Sequence, residues 1–173
     1  NCIFGRMDTD LALAEHNITT PFPIQAMTLP VALGGHDIIG QAKTGTGKTL
    51  GFGIPILNRV TAPGDDAFAT MHAAGKPQAL AVAPTRELAL QVSGDLALAA
   101  ADRGLRVLTV YGGVGYDTQL DTLAAGVDVV VGTPGRLIDL ANRRALDLSH
   151  VHALVLDEAD EMLDLGFLVP IRK

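Results

Sequence analysis

Gly47-Lys48-Thr49 places a residue free to take left-handed backbone angles beside a fixed cation and a hydroxyl. These three close the run Gln41-Ala42-Lys43-Thr44-Gly45-Thr46-Gly47-Lys48-Thr49, which follows an apolar segment at 37–40 and opens a segment of helical period at 48–59. Strand, glycine-rich turn and helix N-terminus in this order make an anion cradle. Successive backbone N–H groups point into one concavity, and the helix dipole adds to the field there. In such a cradle Thr44, Gly45, Thr46 and Gly47 wrap a polyphosphate, Lys48 reaches its β- and γ-phosphates, and the Thr49 hydroxyl ligates Mg²⁺. Ala42 stands where the general pattern has its first glycine.

A second cluster supplies the other half of such chemistry. The apolar run Ala153-Leu154-Val155-Leu156 leads into Asp157-Glu158-Ala159-Asp160. A strand that delivers Asp157 to the edge carrying Lys48 makes Asp157 the carboxylate on the Mg²⁺ side. Glu158 beside it is then placed to orient or deprotonate an attacking water. Taken alone, acidic residues after an apolar run mark a helix start, where they complement the dipole. The phosphate loop shifts the reading towards catalysis by Glu158, Lys48 and Asp157.

These loops need a frame that brings them together. Apolar runs at 37–40, 79–83, 106–110, 127–131 and 153–157 alternate with segments of helical period at 48–59, 87–101, 117–124 and 136–143, and another helix opens near Glu161. Strands that read as near-continuous apolar runs are buried on both faces. Their alternation with helices predicts an α/β fold with a parallel sheet covered on both sides. Right-handed crossovers put the strand ends along one edge, where ligands bind. Ahead of the first run, 8–16 and 23–33 read as two short helices. The segment 61–78 reads as a surface loop longer than usual.

Composition bounds the classes of function. With 48% hydrophobic and 18% charged residues the chain is not disordered, and 173 residues suit one domain. Thirteen Lys and Arg against 19 Asp and Glu give a net charge of −6, which argues against the broad basic surface of most nucleic-acid binders. Composition alone therefore favours a small-molecule enzyme. A single cysteine, Cys2, excludes an internal disulfide and a Cys-based zinc site, and the lone close pair His150 and His152 falls short of zinc's ligand count. No apolar run approaches the roughly 18 residues of a membrane span, and a soluble, cytoplasmic setting is the default expectation.

Six signatures in a fixed order nevertheless resemble those of a DEAD-box ATP-dependent RNA helicase, in its first RecA-like domain. They are Pro21-Phe22-Pro23-Ile24-Gln25, the loop from Ala42 to Thr49, Pro84-Thr85-Arg86-Glu87-Leu88, Gly112-Gly113, Thr133-Pro134-Gly135-Arg136 and Asp157-Glu158-Ala159-Asp160. The resemblance implies a RecA-like P-loop domain over 1–173, with a helical region at 1–35 and the P-loop core at 36–173, incomplete at the C-terminal end. It implies ATP and Mg²⁺ as cofactors, RNA as partner, and a second RecA-like domain contacted through Asp160. Gln25 resembles the glutamine that reads adenine, with an amide able both to donate and to accept. Its rival role is capping its own helix turn. Phe4 is the only aromatic upstream of that motif, a few residues closer than the family's spacing.

Pro84, Thr85, Arg86, Gly112, Gly113, Thr133, Pro134, Gly135 and Arg136 resemble the family's grip on the RNA sugar-phosphate backbone. Glycines allow close approach and helix N-termini offer donors, contacts that carry no sequence information. Thr133 and Pro134 also read as an ordinary helix start, and Arg86 with Glu87 as an ion pair. The Ser-Ala-Thr motif and second domain of the family are expected beyond Lys173. A non-helicase ATPase, an RNA-binding scaffold and a DNA translocase stay open as alternatives. The placement of charge fits RNA better than its total does. Without Asp157, Glu158, Asp160, Glu161 and Asp164, 14 acidic residues face 13 basic ones.

Overall fold

The computed structural model describes residues 4–5, 7–43, 45–71 and 75–166. Four short Val-, Leu- and Ala-rich strands form its sheet: β1 (Ala79–Val82), β2 (Val107–Val110), β3 (Val129–Gly132) and β4 (Ala153–Leu156). All pairings are parallel, in the order β2-β3-β1-β4. The register aligns Val82 with Gly132 and Leu156, and Gly132 with Val110. The four strands therefore end at one level, and the loops that follow them share one edge.

Period two along the strands divides the core. Ala79 and Ala81 of β1 with Val129 and Val131 of β3 pack on Leu29, Ile54, Leu57, Val92 and Leu96. These come from α2 (Pro23–Leu33), α3 (Lys48–Arg59) and α4 (Arg86–Ala99). Leu80, Val82 and Val130 face the opposite layer with Leu137, Leu140 and Met162. That layer is built from α5 (Asp117–Ala125), α6 (Pro134–Asn142) and α7 (Ala159–Asp164). Burying each such aliphatic side chain contributes about 1.5–3 kcal/mol. At the N-terminus, α1 (Met7–Glu15) adds Leu13 to the first layer. The buried Arg103 donates to the carbonyls of Leu57 and, at 2.7 Å, Val60, satisfying the end of α3.

One expectation changes. Residues 37–40 are not a strand: they have no ladder partner, and Ile38 and Ile39 are exposed. An apolar run becomes a strand only where another strand takes its hydrogen bonds. Phe4, the aromatic upstream of the Gln25 motif, is buried in the first core layer. Its backbone N–H donates to Asp10 at 2.7 Å. The loop before β1 contains a 3₁₀ turn at Phe68–Thr70. Its two ends are tied by Gln78, whose amide bonds both the N–H and the C=O of Thr61 at 2.9 Å.

Candidate functional site

The phosphate loop is shaped by backbone angles that only glycine takes without strain. Gly45 and Gly47 both have φ of +80°. Gly47 also faces a close neighbour: a Cβ there would lie 2.5 Å from the Gln25 amide nitrogen and 2.8 Å from the Phe22 ring. Gln25 is fully buried. Its Oε1 accepts from the Phe22 N–H at 2.9 Å, and its Nε2 donates to the Gly47 carbonyl at 2.9 Å. One amide thus both caps α2 and holds the loop. The Thr46 hydroxyl donates back to the Lys43 carbonyl at 2.6 Å, and Thr44 lies outside the described residues.

Lys48, the first residue of α3, donates from Nζ to Glu158 Oε1 at 2.5 Å. Glu158 sits just past β4 with φ of +47°, a left-handed angle that is uncommon for a side chain of this kind. The neighbouring Asp157 extends the ladder, donating its N–H to the Val82 carbonyl at 2.9 Å. Its carboxylate accepts from the Glu158 N–H at 3.1 Å. Burial, and then the charge of Glu158, hold the Asp157 carboxyl above its ordinary pKa, with Lys48 pulling it back. Thr49 hydrogen-bonds Asp95 on α4, whose carboxyl is likewise raised by burial and lowered again by that bond.

On the same edge a cavity of about 500 Å³ is lined by Pro84, Arg86, Gly112, Thr133, Gly135 and Arg136, together with Tyr116 and Asp139. Thr85 caps α4, its hydroxyl accepting from Leu88 N–H at 3.3 Å. Arg86 lies over the Tyr111 ring, 4.7 Å from its centroid, instead of pairing with Glu87. Gly113 has φ of +81°. Thr133 and Pro134 do open α6, but the Thr133 side chain makes no capping bond. Arg136 is only 8% exposed and turns inward, donating to the Val114 carbonyl at 2.8 Å and to Gln119 Oε1 at 3.3 Å. Asp160 is exposed on the first turn of α7.

A profile of the DEAD/DEAH box helicase family matches residues 22–173. The chain belongs to that family. It is 47% identical over 161 residues to the ATP-dependent RNA helicase RhlB of Shewanella frigidimarina, covering 93% of this chain and 36% of that protein. It is 51% identical over 149 residues to the DEAD-box ATP-dependent RNA helicase CshA of Geobacillus kaustophilus, covering 86% of this chain and 30% of the relative. The yeast DEAD-box splicing factor Prp28 superposes with a TM-score of 0.84 at 34% identity, over 98% of this chain and 39% of that structure. A hypothetical ATP-dependent RNA helicase from Sulfolobus tokodaii gives 0.81 at 34% identity, over 95% and 44%. The fold is therefore RecA-like, and the chain spans about a third of the length of the curated relatives it matches.

Within this DEAD/DEAH box domain several residues at the site were not singled out by sequence. Asp95, Tyr116 and Gln119 each touch a residue that was, and Asp139 and Arg143 in turn touch Tyr116. Only the helical spacing of Arg136, Asp139 and Arg143 hinted at a shared face. The oxygen donors Thr49 and Asp157 are of the kind that Mg²⁺ takes, with its remaining ligands left to phosphates and water. Among the described residues no three His, Cys, Asp or Glu side chains group to hold a metal, and no helix is long and apolar enough to cross a membrane.

Proposed function

We propose that this chain is the ATP- and RNA-backbone-binding domain of an ATP-dependent RNA helicase that couples ATP hydrolysis to local unwinding of RNA duplexes. The observation that carries this reading is the common strand level. Lys48 and Glu158 meet at 2.5 Å beside it, and the cavity lined by Pro84, Arg86, Gly112 and Thr133 opens on the same edge.

In this reading Thr44, Gly45, Thr46, Gly47 and Lys48 bind the phosphates. Thr49 and Asp157 hold Mg²⁺, which when bound neutralises charge on the transferring phosphoryl oxygens. Lys48 leaves Glu158 as the γ-phosphate arrives, and the freed carboxylate accepts a proton from the attacking water. Gln25 couples the adenine to the loop, since its amide already holds Gly47. Thr85, Arg86, Gly112, Gly113, Thr133, Pro134, Gly135 and Arg136 form or position the seat of the RNA backbone. Asp160 faces a second RecA-like domain, and the protein works in the cytoplasm. This 173-residue stretch alone turns over ATP slowly and without RNA stimulation, because charge-stabilising arginines from a second domain are worth roughly 10³–10⁵ in rate where such fingers act.

The test is phosphate release by the protein as its reading frame encodes it, with and without single-stranded RNA. RNA-stimulated, ATP-selective turnover is expected. Equal turnover without RNA points to a non-helicase ATPase and overturns the proposal. Tight RNA binding without nucleotide points to a scaffold and does the same.

A further inference from the structure

Tyr116 ends the loop between β2 and α5, and two guanidinium groups pack on its ring. The guanidinium of Arg136 lies 4.2 Å from the ring centroid and that of Arg143 lies 4.3 Å from it. The Tyr116 hydroxyl donates to Asp139 Oδ2 at 2.6 Å, and the other Asp139 oxygen accepts from Arg143 Nε at 3.1 Å. One carboxylate and one ring thus hold two guanidinium groups from successive turns of α6 and its end.

Arg136 passes this constraint on to the glycine loop. It donates to the Val114 carbonyl at 2.8 Å and to Gln119 at 3.3 Å, and Gln119 donates to the Tyr111 carbonyl at 3.2 Å. Gly112 and Gly113 therefore lie between two backbone carbonyls, each fixed by a buried polar side chain. Both glycines have open space where a Cβ would be, so packing does not hold them. The anchors do.

We propose that Tyr116 is a positioning residue for RNA binding: packed against Arg136 and Arg143 and tied to Asp139, it holds Arg136 in the pose that sets the Gly112-Gly113 loop. The inference rests on the RNA-backbone reading above. A guanidinium stacked on a ring has lost its rotamer freedom before any ligand arrives, so less ordering is left for the binding step. Lysine cannot substitute, because the stack needs the planar group. With its ring engaged by two guanidinium groups and its hydroxyl by Asp139, Tyr116 supplies orientation and no sequence reading.

The experiment measures RNA Kd with a non-hydrolysable ATP analogue, KM for RNA, kcat at saturating RNA, and nucleotide Kd, in the protein as its reading frame encodes it. Tyr116→Leu is expected to raise RNA Kd and KM about tenfold, with kcat and nucleotide Kd unchanged. Tyr116→Phe keeps the stack and stays within about threefold of the parent. Arg143→Lys, at an exposed position that keeps its charge, raises KM for RNA about threefold even if the leucine variant fails to fold. Unchanged RNA binding in Tyr116→Leu or Arg143→Lys overturns the proposal, as does a phenylalanine variant as weak as the leucine one. If the parent protein shows no nucleotide-dependent RNA binding, the RNA reading fails and this inference with it. If the parent binds and Tyr116→Leu binds equally, this inference alone fails.

Discussion

Lys48 and Glu158 are 110 residues apart in the chain and 2.5 Å apart in space. The contact joins the start of α3 to the turn after β4, with the two side chains 22% and 28% exposed. Each is the other's partner, so a polyphosphate must compete with Glu158 for the Lys48 ammonium. On the proposed function, this sets Glu158 and nucleotide in opposition.

Glu158→Gln is expected to tighten nucleotide binding by about threefold, since a neutral amide holds Lys48 less strongly. The same change slows hydrolysis by roughly 10²–10⁴ through loss of the general base. Lys48→Ala removes nucleotide binding. Titration with a fluorescent ATP analogue and phosphate-release kinetics check all three. Normal turnover by Glu158→Gln would mean that another group activates the water.

Gln25→Ala strips partners from the Phe22 N–H and the Gly47 carbonyl at once. Leaving such groups unpaired costs about 1–3 kcal/mol, so thermal stability falls together with nucleotide affinity. Preference for ATP over GTP is expected to vanish as well. An alanine variant that still discriminates the two nucleotides rules out Gln25 as the adenine reader.

Gly47→Ala and Gly45→Ala separate backbone angle from crowding. Both force a side chain into the left-handed region at a cost of about 1–2 kcal/mol. Only position 47 also drives a Cβ into Gln25 and Phe22, adding about 1–3 kcal/mol of overpacking. Chemical denaturation should rank Gly47→Ala clearly below Gly45→Ala; equal midpoints would show that the loop moves away freely.

Acid titration tests the Tyr116–Asp139 tie. The Tyr116 hydroxyl, and after it Arg143, hold the Asp139 carboxyl below its ordinary pKa. A carboxyl lowered on folding contributes stability that is whole above the unfolded pKa of about 3.9 and is lost as pH falls through the folded value. Asp139→Asn should therefore be less stable than the parent at pH 7. Thermal melts of the two should converge as the pH drops below about 4. A gap that stays constant down to acid pH excludes the tie as an electrostatic contribution.

Salt dependence tests how RNA is gripped. Few cations line the cavity, and Arg136 is already occupied within the protein. Neutralising about two or three phosphates gives a slope of log K against log salt near −2 for a single strand. A slope steeper than about −4 in a filter-binding titration would require a basic surface beyond this edge.

The residues that act locally could be read from the chain. A phosphate loop needs glycines and a helix start within a few positions, and the α3 boundaries at Lys48 and Arg59 follow from that local pattern. The strands Ala79–Val82 and Ala153–Leu156 follow from short apolar runs punctuated by turn residues. The same rule misread residues 37–40, because an apolar run says that a segment can pair and not that a partner is present. Gln25 shows the same limit. Its type and place were legible, but its full burial between Phe22 and Gly47 was not.

By itself, then, the amino-acid order determined the α/β class with a parallel sheet and the order of the motifs, whose resemblance to the family implied the RecA-like fold, since turn chemistry and periodicity are short-range properties. Only the tertiary structure decided which distant side chains meet. The parallel register levels the strand ends and so brings Glu158 to Lys48. Bonds to Gln119 and to the Val114 carbonyl turn Arg136 inward against Tyr116, away from the open role its motif suggested. Contacts of that kind depend on burial and on the geometry of the whole sheet, and no window of neighbouring residues carries them.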